Sequence, residues 1–191
     1  MEQNNEMTAQ QSLQLISETM NNNRKSILRN SAKYFMLWGA LLTVMSLLIW
    51  LLWHKTGSPV WNLLWFAMPA IGYPLAALLG KYDKRVPQNE VGKMLSRVWA
   101  LFGLFSISAS IIAIIAVPMN VSLIIVLLLG FAESISGALL KNWPIGIGGF
   151  LLGIGGAIVA VLMKSEAQLL IFTLGGILLA ATGLIIKSQN K

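Results

Sequence analysis

Glu133 is the residue whose type and position could do chemistry. It lies in an apolar run, 121–140, whose other polar members are Ser122, Ser134 and Ser136, and no other formally charged side chain sits so deep in any apolar run. A charge in hydrocarbon costs roughly 3 kcal/mol or more, so this carboxyl is expected to face other helices in its neutral form. It could serve an ion- or proton-linked site, or act as a hydrogen-bonded acid that joins helices. The remaining reactive inventory is thin. The chain has one histidine, His54, and no cysteine, which excludes disulfides, thiolate metal sites and cysteine nucleophiles. A lone histidine beside Trp50 and Trp53 reads as an interfacial polar side chain, because no second histidine exists to share a metal. With one deep carboxylate and no activated nucleophile, neither acid–base nor covalent catalysis has its parts. No enzyme activity, cofactor or metal is expected.

The elements that must position Glu133 are membrane spans. Of 191 residues 56% are hydrophobic and 11% charged, with mean hydropathy +0.71. Soluble domains carry about 25% charge, so lipid is the expected solvent. A span needs roughly 20 apolar residues to cross about 30 Å of hydrocarbon. Runs of that length occupy 34–53, 61–80, 98–117, 121–140, 145–163 and 169–186. The sequence therefore predicts an all-α, polytopic membrane bundle of six transmembrane helices arranged as three hairpins, plus an N-terminal amphipathic helix. Segment 1–33 is expected to be cytoplasmic, 34–187 transmembrane and 188–191 a cytoplasmic tail.

Charge sets the orientation. Twelve of the fourteen basic residues fall on one side of the spans, leaving only Lys55 and Lys164 on the other. By the positive-inside rule both termini face the cytoplasm. The net charge of +7 is thus a topology signal, and no nucleic-acid surface is expected. Lys81, Lys84 and Arg85 form a basic loop suited to anionic lipid. The first 33 residues are polar and include Glu2, Glu6 and Glu18, unlike a cleaved signal peptide. From Thr8, whose spacing to Gln11 fits a capping box, Leu13, Ile16, Met20 and Ile27 recur near helical spacing. That helix either lies on the inner leaflet, runs into span one, or docks a cytoplasmic partner. Asn89 and Ser165 are further expected caps. Trp50, Trp53, Trp61 and Trp65 suggest an outer aromatic belt, and Trp38, Trp99 and Trp143 sit near the inner face.

Within the spans, three features bear on Glu133. Span two holds Pro69, Gly72 and Pro74, which predict a kink near Tyr73 after a start capped by Ser58 and Pro59. Small residues form stripes: Gly146, Gly149, Gly153 and Gly156 in span five; Gly103, Ser106, Ser110 and Ala113 in span three; Thr173, Gly176, Ala180 and Gly183 in span six. In lipid such stripes are expected to be helix–helix seams. They are not nucleotide loops, since no strand precedes them and no Gly-Lys-Ser follows. Finally, Glu133 lies roughly 10 Å from the inner end of its helix at 1.5 Å per residue. Thr43, Tyr73, Ser106 and Thr182 fall within a turn of that depth. Together they predict a polar layer in which Glu133 bonds Tyr73 or Ser106 beside the kink.

The segments Trp38 to Lys81, Trp99 to Lys141 and Trp143 to Lys187 each open on an inner tryptophan and close on a similar apolar–Lys ending, as duplicated hairpins would. The stretch from Asn22-Asn23-Arg24-Lys25 to Lys33, then Leu37-Trp38-Gly39 and Trp61-Asn62-Leu63-Leu64-Trp65-Phe66 before Pro69, resembles a group of small six-span bacterial membrane proteins. The glycine spacing of spans five and six is similar to that of the acid-resistance six-span family. These resemblances imply a six-span protein of the bacterial cytoplasmic membrane and bring no catalytic motif. The expected role is a non-enzymatic module that senses or binds a partner, which could be a cytoplasmic protein or a second copy. The alternative is a small-solute or proton-linked transporter or channel using Glu133. A dry interior favours the first, a wet vestibule reaching Glu133 the second.

Overall fold

The structure, a computed structural model, describes residues 9–81, 90–163 and 166–189. Its elements are α1 (Ala9–Thr56), a 3-10 stretch (Pro59–Phe66), α2 (Ala67–Lys81), α3 (Glu90–Ile115), α4 (Val121–Leu139), α5 (Trp143–Leu162) and α6 (Leu169–Gln189). No strand occurs among the described residues. Six helical stretches are long and apolar enough to cross a membrane: Asn30–Thr56, Pro59–Lys81, Val91–Ile115, Val121–Leu139, Trp143–Leu162 and Leu169–Ser188. The chain is a multi-pass, all-α bundle. Thr8, Asn89 and Ser165, expected as caps, and Lys84, Arg85 and Lys164 lie outside the described residues.

The N-terminal amphipathic segment does not form a separate element. It continues into span one as a single helix of 48 residues. At 1.5 Å per residue α1 is ~72 Å long, more than twice the ~30 Å hydrocarbon layer. The part before Asn30 therefore projects beyond the first span, with Leu13 and Leu15 67% and 53% exposed. At its other end Gly57 takes φ +67°, and its N–H donates to Trp53 O at 2.7 Å, closing the helix with a left-handed residue.

Span two starts as expected, with Ser58 Oγ accepting from Val60 N and Pro59 in the first turn. Its interruption is placed differently. The chain winds as a 3-10 helix to Phe66, and the Ala67 N–H bonds Leu64 O before α-geometry begins. Pro69 then falls in the first turn of α2, where a missing N–H costs nothing; only Pro74 is interior. α2 runs without a break through Tyr73, with Pro74 inside it, and the chain changes helix type earlier, at Phe66–Ala67. The physical reason is Pro69 itself, whose ring would clash with the carbonyl four residues earlier if α-helix ran through.

Two glycine seams hold the bundle together. Along α4 and α5, Gly130 abuts the backbone of Gly149 and Gly153, and Gly137 abuts Gly146. Ser134 Oγ donates across this seam to Gly146 O at 3.2 Å. Along α1 and α6, Gly39 abuts Gly176 and Ala180, while Gly183 meets Ala32 and Met36. The α5 and α6 stripes are therefore seams, as expected. Gly148 and Gly155, off the α5 stripe, face open space. Both seams join different hairpins of the sequence repeat: α4 to α5, and α1 to α6. The connection within the third hairpin, α5 to α6, carries little contact. Close backbone approach, available only where small residues line up, decides the pairing more than chain continuity does.

A buried hydroxyl pair crosses the α1–α6 seam, Ser46 Oγ to Thr173 Oγ1 at 2.9 Å. A double-mutant cycle with Ser46→Ala and Thr173→Val should give a coupling of about 0.6 kcal/mol and no more than ~1.7 in detergent unfolding. A cycle that closes at zero would mean the hydroxyls are not bonded to each other. At the opposite end from the basic cluster, Gln168 Nε2 donates to Ala160 O at 2.5 Å and Met163 O at 3.2 Å. Gln168 therefore satisfies carbonyls at the carboxyl end of α5. Asn120 caps α4 through Leu123 N and also reaches Ala160 O at 3.1 Å. His54, stacked on Trp50, places Nδ1 3.5 Å from Glu166 Oε1.

Candidate functional site

The two spans left out of the seams frame the site. α2 packs on α1 and α3 on α4, but α2 and α3 do not close on each other. Between them opens a cleft of about 1790 Å³, bounded by α1, the 3-10 stretch, α2, α3, the start of α4, and α6. Here one expectation needs correction. The α3 stripe Gly103, Ser106, Ser110 and Ala113 is not a helix–helix seam but lines this cleft. A Cβ on Gly103 would meet nothing nearer than the Tyr73 hydroxyl at 3.8 Å, far looser than the contacts at Gly130 or Gly39. No partner helix supplies a matching small-residue stripe: α2 offers Pro69, Tyr73 and Ala76 to the same space. Ser110 Oγ bonds back to Ser106 O at 2.8 Å, and Ser106 Oγ is buried with no partner among the described residues.

Aromatic side chains build the walls. Trp38 covers Gly72 and meets Tyr73 edge-on, centroids 5.6 Å apart. Trp99 is edge-on to Phe35 at 6.1 Å and to Phe102 at 5.6 Å, and Trp65 to Phe172 at 5.5 Å. Such offsets match the ring quadrupoles and fix the wall rigidly. Trp99 is anchored further by Nε1 donating to Ser136 Oγ at 3.1 Å, while Ser136 donates to Ala132 O at 2.7 Å. Trp38, Trp65 and Trp99 thus line the cleft, whereas Trp143 is 80% exposed and lies outside it.

The ends of the cleft differ in charge. On the side of the basic cluster it is lined by Asn30, Tyr34, Lys93, Ser96 and Arg97; the other end has the neutral Asn62, Asn120 and Gln168. Lys33 ties α1 to α2 at the basic end, its Nζ donating to Leu79 O at 3.3 Å and lying 5.3 Å from the Tyr34 ring centroid. No carboxylate lines the cleft among the described residues.

Glu133 is elsewhere. It is 1% exposed, absent from the cleft wall, and its Oε2 is buried without a hydrogen-bond partner among the described residues. Its backbone lies at the α4–α5 seam opposite Gly149. The predicted polar layer is not assembled. Tyr73 and Ser106 share the cleft, but neither bonds Glu133; Thr43 lies in the α1–α6 seam, donating to Gly39 O at 2.8 Å, and Thr182 is half-buried on α6. Counting from helix ends fixes depth but not azimuth, and Glu133 shares its azimuth with Gly130 and Gly137, which turn to α5. Missed altogether were Lys93, Arg97 and the Phe35–Trp99–Phe102 wall as parts of one site. The inner-face tryptophans and the stripe on α3 were the available signals, each explained separately. Among the described residues no cluster of three potential metal ligands exists. No family model, curated protein or solved structure matches this chain.

Proposed function

We propose that this chain is a non-enzymatic module of the membrane that receives an apolar or amphipathic guest in the α2–α3 cleft. The observation that carries the reading is the separation of the aromatic cleft from the only deep carboxyl. A water-filled path for an ion would be expected to reach Glu133; instead the space is walled by tryptophan and phenylalanine, and Glu133 stands outside it. Size supports the same reading, because pockets for small solutes occupy ~300–1,000 Å³, and this cleft is about 1790 Å³. The N-terminal part of α1, projecting from the basic side, would pass occupancy to the cytoplasm under the positive-inside orientation, with both termini inside.

The native absence of cysteine makes the test direct. Ser110→Cys places a polarity-sensitive fluorophore on the cleft wall. Blue-shifted emission, insensitive to aqueous iodide, is the expected result in proteoliposomes. Emission like that of a water-exposed label would sink the reading. Lys187→Cys should react only with reagent on the cytoplasmic side. The second reading, proton-linked transport through Glu133, is favoured by its unpartnered oxygen and requires flux that disappears in Glu133→Gln.

A further inference from the structure

We propose that the guest is a quinone, its ring held beside Tyr73 and Ser106 near the middle of the membrane and its apolar tail lying in the rest of the cleft. The proposal rests on the reading of the cleft as a guest site and adds the guest's chemistry.

Two hydroxyls on facing helices of the cleft are without a bond. Tyr73 lines the cleft from α2, is 58% exposed, and its hydroxyl has no hydrogen-bond partner among the described residues. That hydroxyl reaches α3, where a Cβ on Gly103 would meet it at 3.8 Å. Ser106 follows one turn along the same face of α3, and its Oγ is likewise unbonded among the described residues. Ser110 shows the contrast: its Oγ returns to the backbone at Ser106 O, 2.8 Å away, the ordinary way for a helical serine to satisfy its hydroxyl. Trp38 covers Gly72 and meets the Tyr73 ring edge-on, so the phenol is held toward α3 before any guest arrives.

Depth selects among guests. Tyr73 precedes Lys81 by eight residues, and Ser106 follows Arg97 by nine. At 1.5 Å per residue they lie ~12 Å and ~14 Å from the basic end, close to the middle of a ~30 Å hydrocarbon layer. A phospholipid, a fatty acid or a sterol keeps its oxygens in the interfacial region and brings only hydrocarbon to this depth. A quinone is uncharged, and its two ring carbonyls enter the hydrocarbon together with the ring. Both carbonyls are acceptors, and a hydroxyl without a partner in hydrocarbon favours meeting one.

The walls suit the same molecule. Trp38, Trp99 and Phe102 line the cleft, and aromatic faces and edges pack a flat ring in offset or edge-on geometry. The cleft holds about 1790 Å³, against ~300–1,000 Å³ for a small-solute pocket, which leaves room for a tail beside the ring.

Titration of the full chain with decylubiquinone in lipid nanodiscs tests this. Quinones quench tryptophan emission, and Trp38, Trp65 and Trp99 line the cleft, so binding should appear as saturable quenching. Tyr73→Phe removes one unbonded oxygen and should weaken binding about five-fold, the loss of one net hydrogen bond; Ser106→Ala should do about the same. Tyr34→Phe removes a hydroxyl from the basic end of the same cleft and should leave the affinity unchanged. An affinity unaffected by Tyr73→Phe, or lowered equally by Tyr34→Phe, overturns the proposal, since the ring is then not at mid-depth. Gly103→Leu adds bulk beside the Tyr73 hydroxyl without meeting any backbone, and should abolish saturable quenching. Quenching that survives Gly103→Leu places the quinone elsewhere on the chain and overturns the proposal. If the native chain shows no saturable quenching while the Ser110→Cys fluorophore reports an apolar, iodide-shielded cleft, the quinone assignment alone falls. If that fluorophore reports water, the reading of the cleft falls with it.

Discussion

Gly130→Ala is expected to be strongly destabilising, as is Gly137→Ala, and Gly130→Leu to prevent accumulation of folded chain. A Cβ at Gly130 would approach Gly149 O and Gly153 N at 2.5 Å, and at Gly137 it would collide with the Gly146 backbone. These are main-chain atoms of a helix, which cannot rotate aside as a side chain can. The helices would have to separate along the seam. A gap of ~0.5–1 Å forfeits a quarter to a half of each dispersion contact, and in lipid dispersion is the main force holding helices together. Overpacking typically costs ~1–3 kcal/mol, and the rigid main-chain contact places Gly130→Ala at the upper end or above. Gly148→Ala and Gly155→Ala are the controls. Both face open space on the same helical partner, so each should gain up to ~1 kcal/mol from helix propensity. Unfolding of the alanine variants in mixed micelles measures the contrast. Equal effects at Gly130 and Gly148 would show that α4 and α5 are not in backbone contact.

That contrast also marks what could be read from the chain. The spans were legible because hydrocarbon imposes a long, uninterrupted apolar run, and the Gly146–Gly156 stripe was legible as a seam because glycine at steps of three and four has few other uses in lipid. The Gly103–Ala113 stripe had the same spacing and turned out to line a cleft. A seam needs small residues on both helices, and spacing on one helix carries no information about the other. α5 finds Gly130 and Gly137 facing it; α3 finds Tyr73 and Pro69. The pairing of α1 with α6 was hidden for the same reason, although Gly39 and the Thr173–Gly183 stripe each stood in the sequence. In the candidate site, Tyr73 and Ser106 were correctly brought to one place, but by a depth argument centred on Glu133, which faces another way. Lys93 and Arg97 had been absorbed by the topology count, which treats every cation on one side alike.

Glu133→Met is expected to stabilise the protein, a reversal of what a hydrogen-bonded acid would show. Glu133 is fully enclosed, and its Oε2 has no donor among the described residues. An unsatisfied buried polar atom costs ~1–3 kcal/mol, and methionine offers nearly the same shape without that atom. The gain should therefore be on the order of 1–3 kcal/mol, read as a higher unfolding midpoint in detergent. Glu133→Gln keeps a polar head in the same enclosure and adds two donors that need acceptors, so it should be neutral or destabilising. The signs separate three accounts. An acid that glues helices by a hydrogen bond would make both substitutions destabilising. A solute site would leave stability secondary and abolish flux in both variants. The geometry, with Glu133 buried on the α4 face that meets α5 and outside the cleft wall, predicts that methionine raises stability. If Glu133→Met instead lowers the midpoint, the carboxyl has a bonding partner, and the polar layer expected from helix depth would have to be sought in a rearranged bundle.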